Sequence, residues 1–333
     1  MNQFPVSNSI IAASHLGDFL KVKYDFGKNA SCQLIKNWVN DTYLIKENSD
    51  KYIFRIYRLN WRTEIEIEEE LKWINLLKEN DISVSFPILD QDKNYIQPIQ
   101  APEGKRFGVL FSFAEGEKQL NVLPEFHFDI GKMMGQIHQV SEGLHLKRIT
   151  YSPQVLLFDS LKRIAKCLAS TSPEFDFLEK TQQQLSSFFT EIKLGEIRSG
   201  AVHLDIWADN LNIDHNNNIT LFDFDFCGNG FLAFDIAYHI TMLFLFEPDQ
   251  DKMKEKLLQF YQGYESVLVI SEEEKKVIPA FGTALLFFYL GFQCERFSAI
   301  FVNEIYVKGF INSRIKRWIE FNQTLESFFN KNS

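Results

Sequence analysis

Cysteine is scarce and scattered. Cys32, Cys167, Cys227 and Cys294 form no C-x-x-C pair, which argues against a zinc site or a disulfide framework and makes a reducing cytoplasm the expected setting. No block of Lys or Arg appears and the net charge is −9, so nucleic acid and anionic membrane are not expected partners. The opening MNQFPVSNSI has no basic region ahead of an apolar core, and no signal peptide is expected. The apolar stretches 231–246 and 279–292 read as too short to cross a bilayer, and the first contains Asp235 and His239. Internal repeats and low-complexity linkers are missing too.

What is present is ample apolar material, 45% of 333 residues, enough for one large or two moderate domains. Stretches 32–38, 42–46, 52–57, 84–88, 95–99 and 107–113 read as strands rich in β-branched and aromatic residues. Helices are expected at 8–20 and 62–79 in the first part of the chain. Later ones are expected at 125–140, 154–169, 174–195, 231–246, 251–268, 272–293 and 310–330. Thr63 and Glu66 have the spacing of a capping box. Glu70 shares a helix side with Trp73, Ile74 and Leu77, where a carboxylate needs a cationic partner. Near residue 115 strands give way to helices, which divides the chain into 1–114 and 115–333.

The richest stretch is 201–225, AVHLDIWADNLNIDHNNNITLFDFD. It reads as a loop, a strand, a turn at 214–218 and a second strand. Such a hairpin gathers Asp205, Asn210 and Asp223, three hard oxygen donors without a basic neighbour, which suit Mg²⁺. A calcium loop fails on position: counted from Asp214, Ile219 stands where the sharp turn needs Gly.

His203-x-Asp205-x-x-x-x-Asn210, followed by the triplet Asp223-Phe224-Asp225, resembles the catalytic and metal loops of protein-kinase-like phosphotransferases. The pattern is most similar to the aminoglycoside/choline phosphotransferase family, near its stress-response kinase and homoserine kinase branches. That resemblance implies an α+β, protein-kinase-like bilobal fold with a small antiparallel-sheet N-lobe and a mainly helical C-lobe. It also implies catalytic roles for Asp205, as base, and His203, with Asn210 and Asp223 on Mg²⁺. The segment 107–117 resembles the hinge that meets an adenine ring, which puts Phe111 and Phe113 beside the nucleotide. The strand 52–58 occupies the place of the phosphate-binding lysine, but this chain has Arg55 there. Arg keeps a fork suited to phosphate oxygens, with Glu70 as its expected ion-pair partner and Glu66 as second choice. A G-x-G-x-x-G cover is absent, as it often is in this branch. Asp235 would accept hydrogen bonds from the catalytic-loop backbone and brace His203, and His138 reads as structural.

The expected activity is phosphoryl transfer from ATP or GTP, with Mg²⁺, to a hydroxyl of a small molecule of aminoglycoside, aminoalcohol, homoserine or sugar type. Two alternatives stay open: a protein Ser/Thr kinase of the stress-response type, and a pseudokinase that binds nucleotide without turnover. The span from Asp225 to Phe234 is short for a regulated activation segment, which favours small acceptors. Acceptor identity and oligomeric state are not legible.

Overall fold

The computed structural model describes residues 4–192, 194–297 and 302–322. The chain forms two compact units, residues 1–117 with 212–223, and residues 118–211 with 224–333. A single cut at 114 thus misses an exchange: the segment 212–223 folds with the first unit.

The first unit is built on five antiparallel strands, β1 (Ser31–Asn37), β2 (Asp41–Glu47), β3 (Asp50–Tyr57), β4 (Ile96–Ala101) and β5 (Gly104–Ser112), in the order β1-β2-β3-β5-β4. Side chains alternate between sheet faces. On one face Tyr43, Ile45, Phe54 and Ile56 pack with Leu16 and Leu20 of helix α1 (Ala13–Tyr24). That helix starts later than the expected 8–20. Residues 9–11 are instead drawn to the sheet: Ser9 donates to Glu103 through Oγ at 2.6 Å, and Tyr43 OH donates to the Ile11 carbonyl at 2.6 Å. Helix α2 (Glu64–Glu79) begins on the expected capping box, Thr63 and Glu66 bonding reciprocally. The strand expected at 84–88 is reduced to isolated bridges, Val84 to Leu221 and Pro87 to Phe111. Pro87 has no N–H to extend a ladder.

The second unit carries helices α3 (Pro124–Ser141), α4 (Ser160–Ile164), α5 (Pro173–Glu191), α6 (Ala233–Phe246), α7 (Gln250–Glu265), α8 (Glu272–Phe297) and α9 (Glu304–Phe310). A short ribbon pairs β6 (Ser199–Val202) with β9 (Gly228–Phe231). Between them in sequence lie β7 (Leu211–Ile213) and β8 (Ile219–Leu221), which pair with each other as a two-stranded ribbon. The helix expected at 154–169 is a π-helical turn, Gln154–Asp159, followed by the short α4. The helix expected at 310–330 begins instead as α9, runs through a π-helical stretch Ile311–Lys316 and continues to 322; the remainder lies outside the described residues.

Helix α8 corrects an expectation. Its residues Glu272–Arg296 are long and apolar enough, by length and composition, to cross a membrane. The apolar run 279–292 is only its middle, and Pro279 sits inside it without ending it. Within the protein 78% of its apolar window is buried, against α6 and α4 among others.

Helices α3 and α7 approach so closely that glycine is required on both. A Cβ at Gly131 would run into the Phe260 carbonyl, and one at Gly263 into the Phe128 carbonyl. Overpacking against rigid backbone costs about 1–3 kcal/mol or more. Gly131→Ala and Gly263→Ala should each lower the melting temperature by several degrees, whereas Gly143→Ser, where no atom lies within 4 Å, should do less through its backbone strain alone. Thermal melts followed by circular dichroism check this. Equal effects at all three sites would contradict the close crossing.

Candidate active site

In the first unit the strand period decides which residues face α2. Phe54 and Ile56 point into the core under α1, so Arg55 and Tyr57 point the other way. Arg55 is 6% exposed and Glu70 is fully buried. The Arg55 guanidinium pairs with the Glu70 carboxylate through Nη2. The same nitrogen donates to Tyr57 OH at 2.6 Å, and Tyr57 OH donates to Glu70 Oε2 at 3.1 Å. Its other terminal nitrogen, Nη1, donates to Asp223 Oδ1 at 3.0 Å. The rings of Phe111 and Tyr57 flank the guanidinium with centroids at 4.7 and 4.8 Å. A buried charge persists only with such partners, and here the fork is fixed on several sides. Glu66, the second choice for this pairing, serves the helix cap instead.

Asp223 does not close a strand. β8 ends at Leu221, Asp223 has φ 64°, and Phe224–Phe226 form a 3₁₀ turn. A left-handed conformation at a non-glycine residue carries strain of the kind found at functional positions. It leaves the carboxylate side chain 36% exposed. The segment after β5 is tied down nearby: Asn212 Nδ2 donates to the Ala114 carbonyl at 2.6 Å, and Gly116, at φ +92°, lies against the Ile213 backbone where no Cβ fits. Phe113 is covered by Lys51, whose Nζ is 4.8 Å from the ring centroid.

In the second unit the loop after β6 is held from beneath by one carboxylate. Asp235, on α6 and fully buried, accepts from the amides of His203 at 3.0 Å and Leu204 at 2.6 Å. Leu204 has φ 62°, and Tyr289 of α8 donates to its carbonyl at 2.7 Å. The strained peptide is therefore bonded on both its groups. His203 is fully buried, edge-on to Phe224 at 4.4 Å, and its Nδ1 accepts from the Asp205 amide at 3.1 Å. The ring thus bonds the backbone that leads into Asp205. His138 Nε2 lies 3.3 Å from Asp235 Oδ2 and its Nδ1 2.7 Å from Tyr264 OH, the packing role expected of it.

The Asp205 carboxylate is oriented by two donors. Tyr238 OH reaches Oδ1 and Asn210 Nδ2 reaches Oδ2, both at 2.7 Å. Asn210 Nδ2 also donates to the Asp205 carbonyl at 2.9 Å. Asn210 Oδ1 in the second unit and the second carboxylate oxygen of Asp223 in the first are each hard donors of the kind that suits a divalent cation. Among the described residues no three His, Cys, Asp or Glu side chains converge as a metal cage, so such a cation would draw its remaining ligands from phosphate oxygens and water.

Sequence reading missed Tyr238 and Tyr289, whose rings lie 5.0 Å apart. Burial, with the Asp205 charge beside them, pushes both phenols well above their ordinary range, so both act as neutral donors. The available signal was a tyrosine hydroxyl inside an apolar helix, which needs a partner. His239 also escaped notice as a loop anchor: its Nδ1 sits 3.2 Å from the Ile206 carbonyl.

Burial holds His239 down to about 4. Burial, then the charges of His239 and Lys256, take His127 to about 3, opposed only by the Val122 carbonyl. Unfolded histidine titrates near pH 6.5, so below that pH the unfolded state binds more protons and stability falls. The contribution is complete above about pH 6.5 and drains away as pH drops toward 4. Melting curves from pH 7.5 to 4.5 should fall less steeply for His127→Phe than for wild type. Parallel curves would contradict neutral burial.

A model of the phosphotransferase enzyme family matches residues 31–269, and the chain belongs to that family. An uncharacterized protein of Synechocystis sp. is 32% identical over 287 residues, 83% of this chain and 76% of that protein. The homoserine kinase of Rhizobium meliloti is 25% identical over 269 residues, 80% of this chain and 79% of that enzyme. Among solved structures, a microcompartment-associated aminopropanol kinase superposes with TM-score 0.76 at 20% identity, covering 94% of this chain and 98% of its own. An amicoumacin kinase in complex with AMP-PNP, Ca²⁺ and Ami gives TM-score 0.76 at 19% identity, covering 92% and 93%. The fold is accordingly the protein-kinase-like α+β fold, and the chain is a phosphotransferase with a small-molecule alcohol group as acceptor.

Proposed function

We propose that this enzyme transfers the γ-phosphoryl group of ATP or GTP to a hydroxyl of an aminoalcohol, homoserine, sugar or aminoglycoside type of acceptor, with Asp205 as the base. The observation that carries this reading is the Asp205 carboxylate, oriented by Tyr238 and Asn210 on a loop whose backbone is locked by Asp235. In phosphoryl transfer, positioning and charge stabilisation do most of the work. Asp205 takes the acceptor's hydroxyl proton as the new P–O bond forms, and the bond from the γ-phosphorus to the β–γ bridging oxygen breaks to release the nucleoside diphosphate. Asn210 and Asp223 would hold Mg²⁺, which would supply positive charge against the phosphates. Arg55 takes the place of the usual lysine. Glu70 and Tyr57 hold its guanidinium, and the planar fork suits phosphate oxygens.

The preference for a small acceptor over a protein has its own support. The segment that follows Asp223 is pinned to the second unit's interior: Arg148 donates to the carbonyls of Asp225 at 2.6 Å and Cys227 at 2.8 Å. Asn229 donates to the carbonyl of Leu146 at 2.9 Å. A regulated segment that docks a polypeptide has little chain to work with there.

Asp205→Asn should abolish acceptor-dependent transfer, by a factor of about 10³ or more, and leave the calorimetric affinity for Mg–ATP within a few-fold. Asp223→Ala should instead weaken Mg–ATP binding itself. Equal loss of binding in the two variants would show that the roles are misassigned.

A further inference from the structure

Beside the catalytic loop the second unit contains a small recess, open to solvent on one side, with room for the end group of a ligand rather than a whole one. Trp207 and Ala208, from the loop itself, form one wall. His127 of α3, His239 and Phe246 of α6, and Lys256 of α7 are among the others. Trp207 is two residues from Asp205, so this wall begins within about 7 Å of the base's Cα by chain geometry.

The two histidines are the anomaly. Each is 4% exposed, and their ring centroids lie 5.7 Å apart. His239 Nδ1 faces the Ile206 carbonyl, which only accepts, so the proton sits on Nδ1 and Nε2 presents a lone pair. That Nε2 is buried without a partner among the described residues, and neither ring nitrogen of His127 makes a hydrogen bond of normal geometry. Buried polar atoms without partners cost stability, and apolar residues of similar shape would fill the space better. Both imidazoles are neutral near pH 7.

We propose that this recess binds the non-reacting end of the acceptor, with His239 and His127 accepting hydrogen bonds from the N–H groups of an amine at that end, beside the aromatic wall of Trp207 and Phe246. The proposal rests on the small-molecule reading given above. Charge excludes the nucleotide as occupant. Lys256 is already committed, at 2.7 Å to Glu247 and 2.6 Å to Asn121, and a polyphosphate would meet imidazole lone pairs. The stacked pair Trp207–Phe246, with centroids 5.3 Å apart, gives the carbon skeleton of the ligand an apolar surface and favours a cationic amine over an anion. An acceptor whose remote end carries only methyl groups should gain little.

The test titrates histidine-¹⁵N-labelled protein with 1-amino-2-propanol, L-homoserine and choline while the imidazole resonances are followed by NMR. At least one of the two primary amines should shift the Nε2 signal of His239 at millimolar concentration, and choline, whose nitrogen has no N–H, should not. His239→Phe should weaken binding of that amine about tenfold or more and leave Mg–ATP affinity unchanged. His239→Gln, which keeps an acceptor atom, should recover part of the loss. Melting temperatures of both variants show that the fold is kept. If neither amine moves the histidine signals at tens of millimolar, or choline moves them equally, the proposal is overturned. Phosphoryl transfer to the same probes is read separately. A histidine shift without transfer would retain the recess as a binding site and count against the functional reading instead.

Discussion

One buried carboxylate sets the geometry of the catalytic loop. Asp235 offers its two oxygens to two consecutive amides, those of His203 and Leu204, and so stabilises a left-handed peptide that an unassisted leucine rarely adopts. Each of its neighbours is placed by that act. His203, buried and held at its own amide, turns its ring to the next amide, that of Asp205. Asp205 then emerges at the angle where Tyr238 and Asn210 can hold its carboxylate. Tyr238 sits one turn along α6 from Asp235, so a single helix both bends the loop and orients the Asp205 carboxylate.

The first unit solves a different problem with the same economy of parts. A buried guanidinium on β3 needs a counter-charge, and Glu70 of α2 supplies it with Tyr57 as a shared third member. Removing Arg55 would take from the buried Glu70 carboxylate the guanidinium it pairs with, so the pair also ties α2 to the sheet. Asp223 takes the remaining nitrogen of the fork and has an oxygen to spare for a cation.

Much of this was legible in the sequence, and the pattern of what was not is physical. The strands 32–38, 42–46 and 52–57 and the capping box are local features, and local features carry their own signal. Glu70 could be chosen because a carboxylate on an apolar helix side demands a partner, and Asp235 for the same reason. Tyr238, Tyr289 and His239 act through partners distant in sequence: a polar tip inside an apolar helix signals that a partner is needed, but not which residue it is. The strand 84–88 failed because its ladder depends on Pro87 and on an edge supplied by 221. Asp223 sits in a left-handed turn that alternation cannot reveal. The helix expected at 272–293 is α8, which starts at Glu272, passes through Pro279 and runs on to Phe297.

The measurement that tests the central claim most directly is where the phosphorus goes. Enzyme, Mg²⁺ and ATP or GTP, incubated with a panel of small hydroxyl acceptors, should produce a new phosphomonoester resonance in ³¹P NMR that grows in step with the nucleoside diphosphate. Phosphorylated protein without any phosphorylated small molecule, or nucleotide bound indefinitely with no phosphomonoester from any acceptor, would contradict the account.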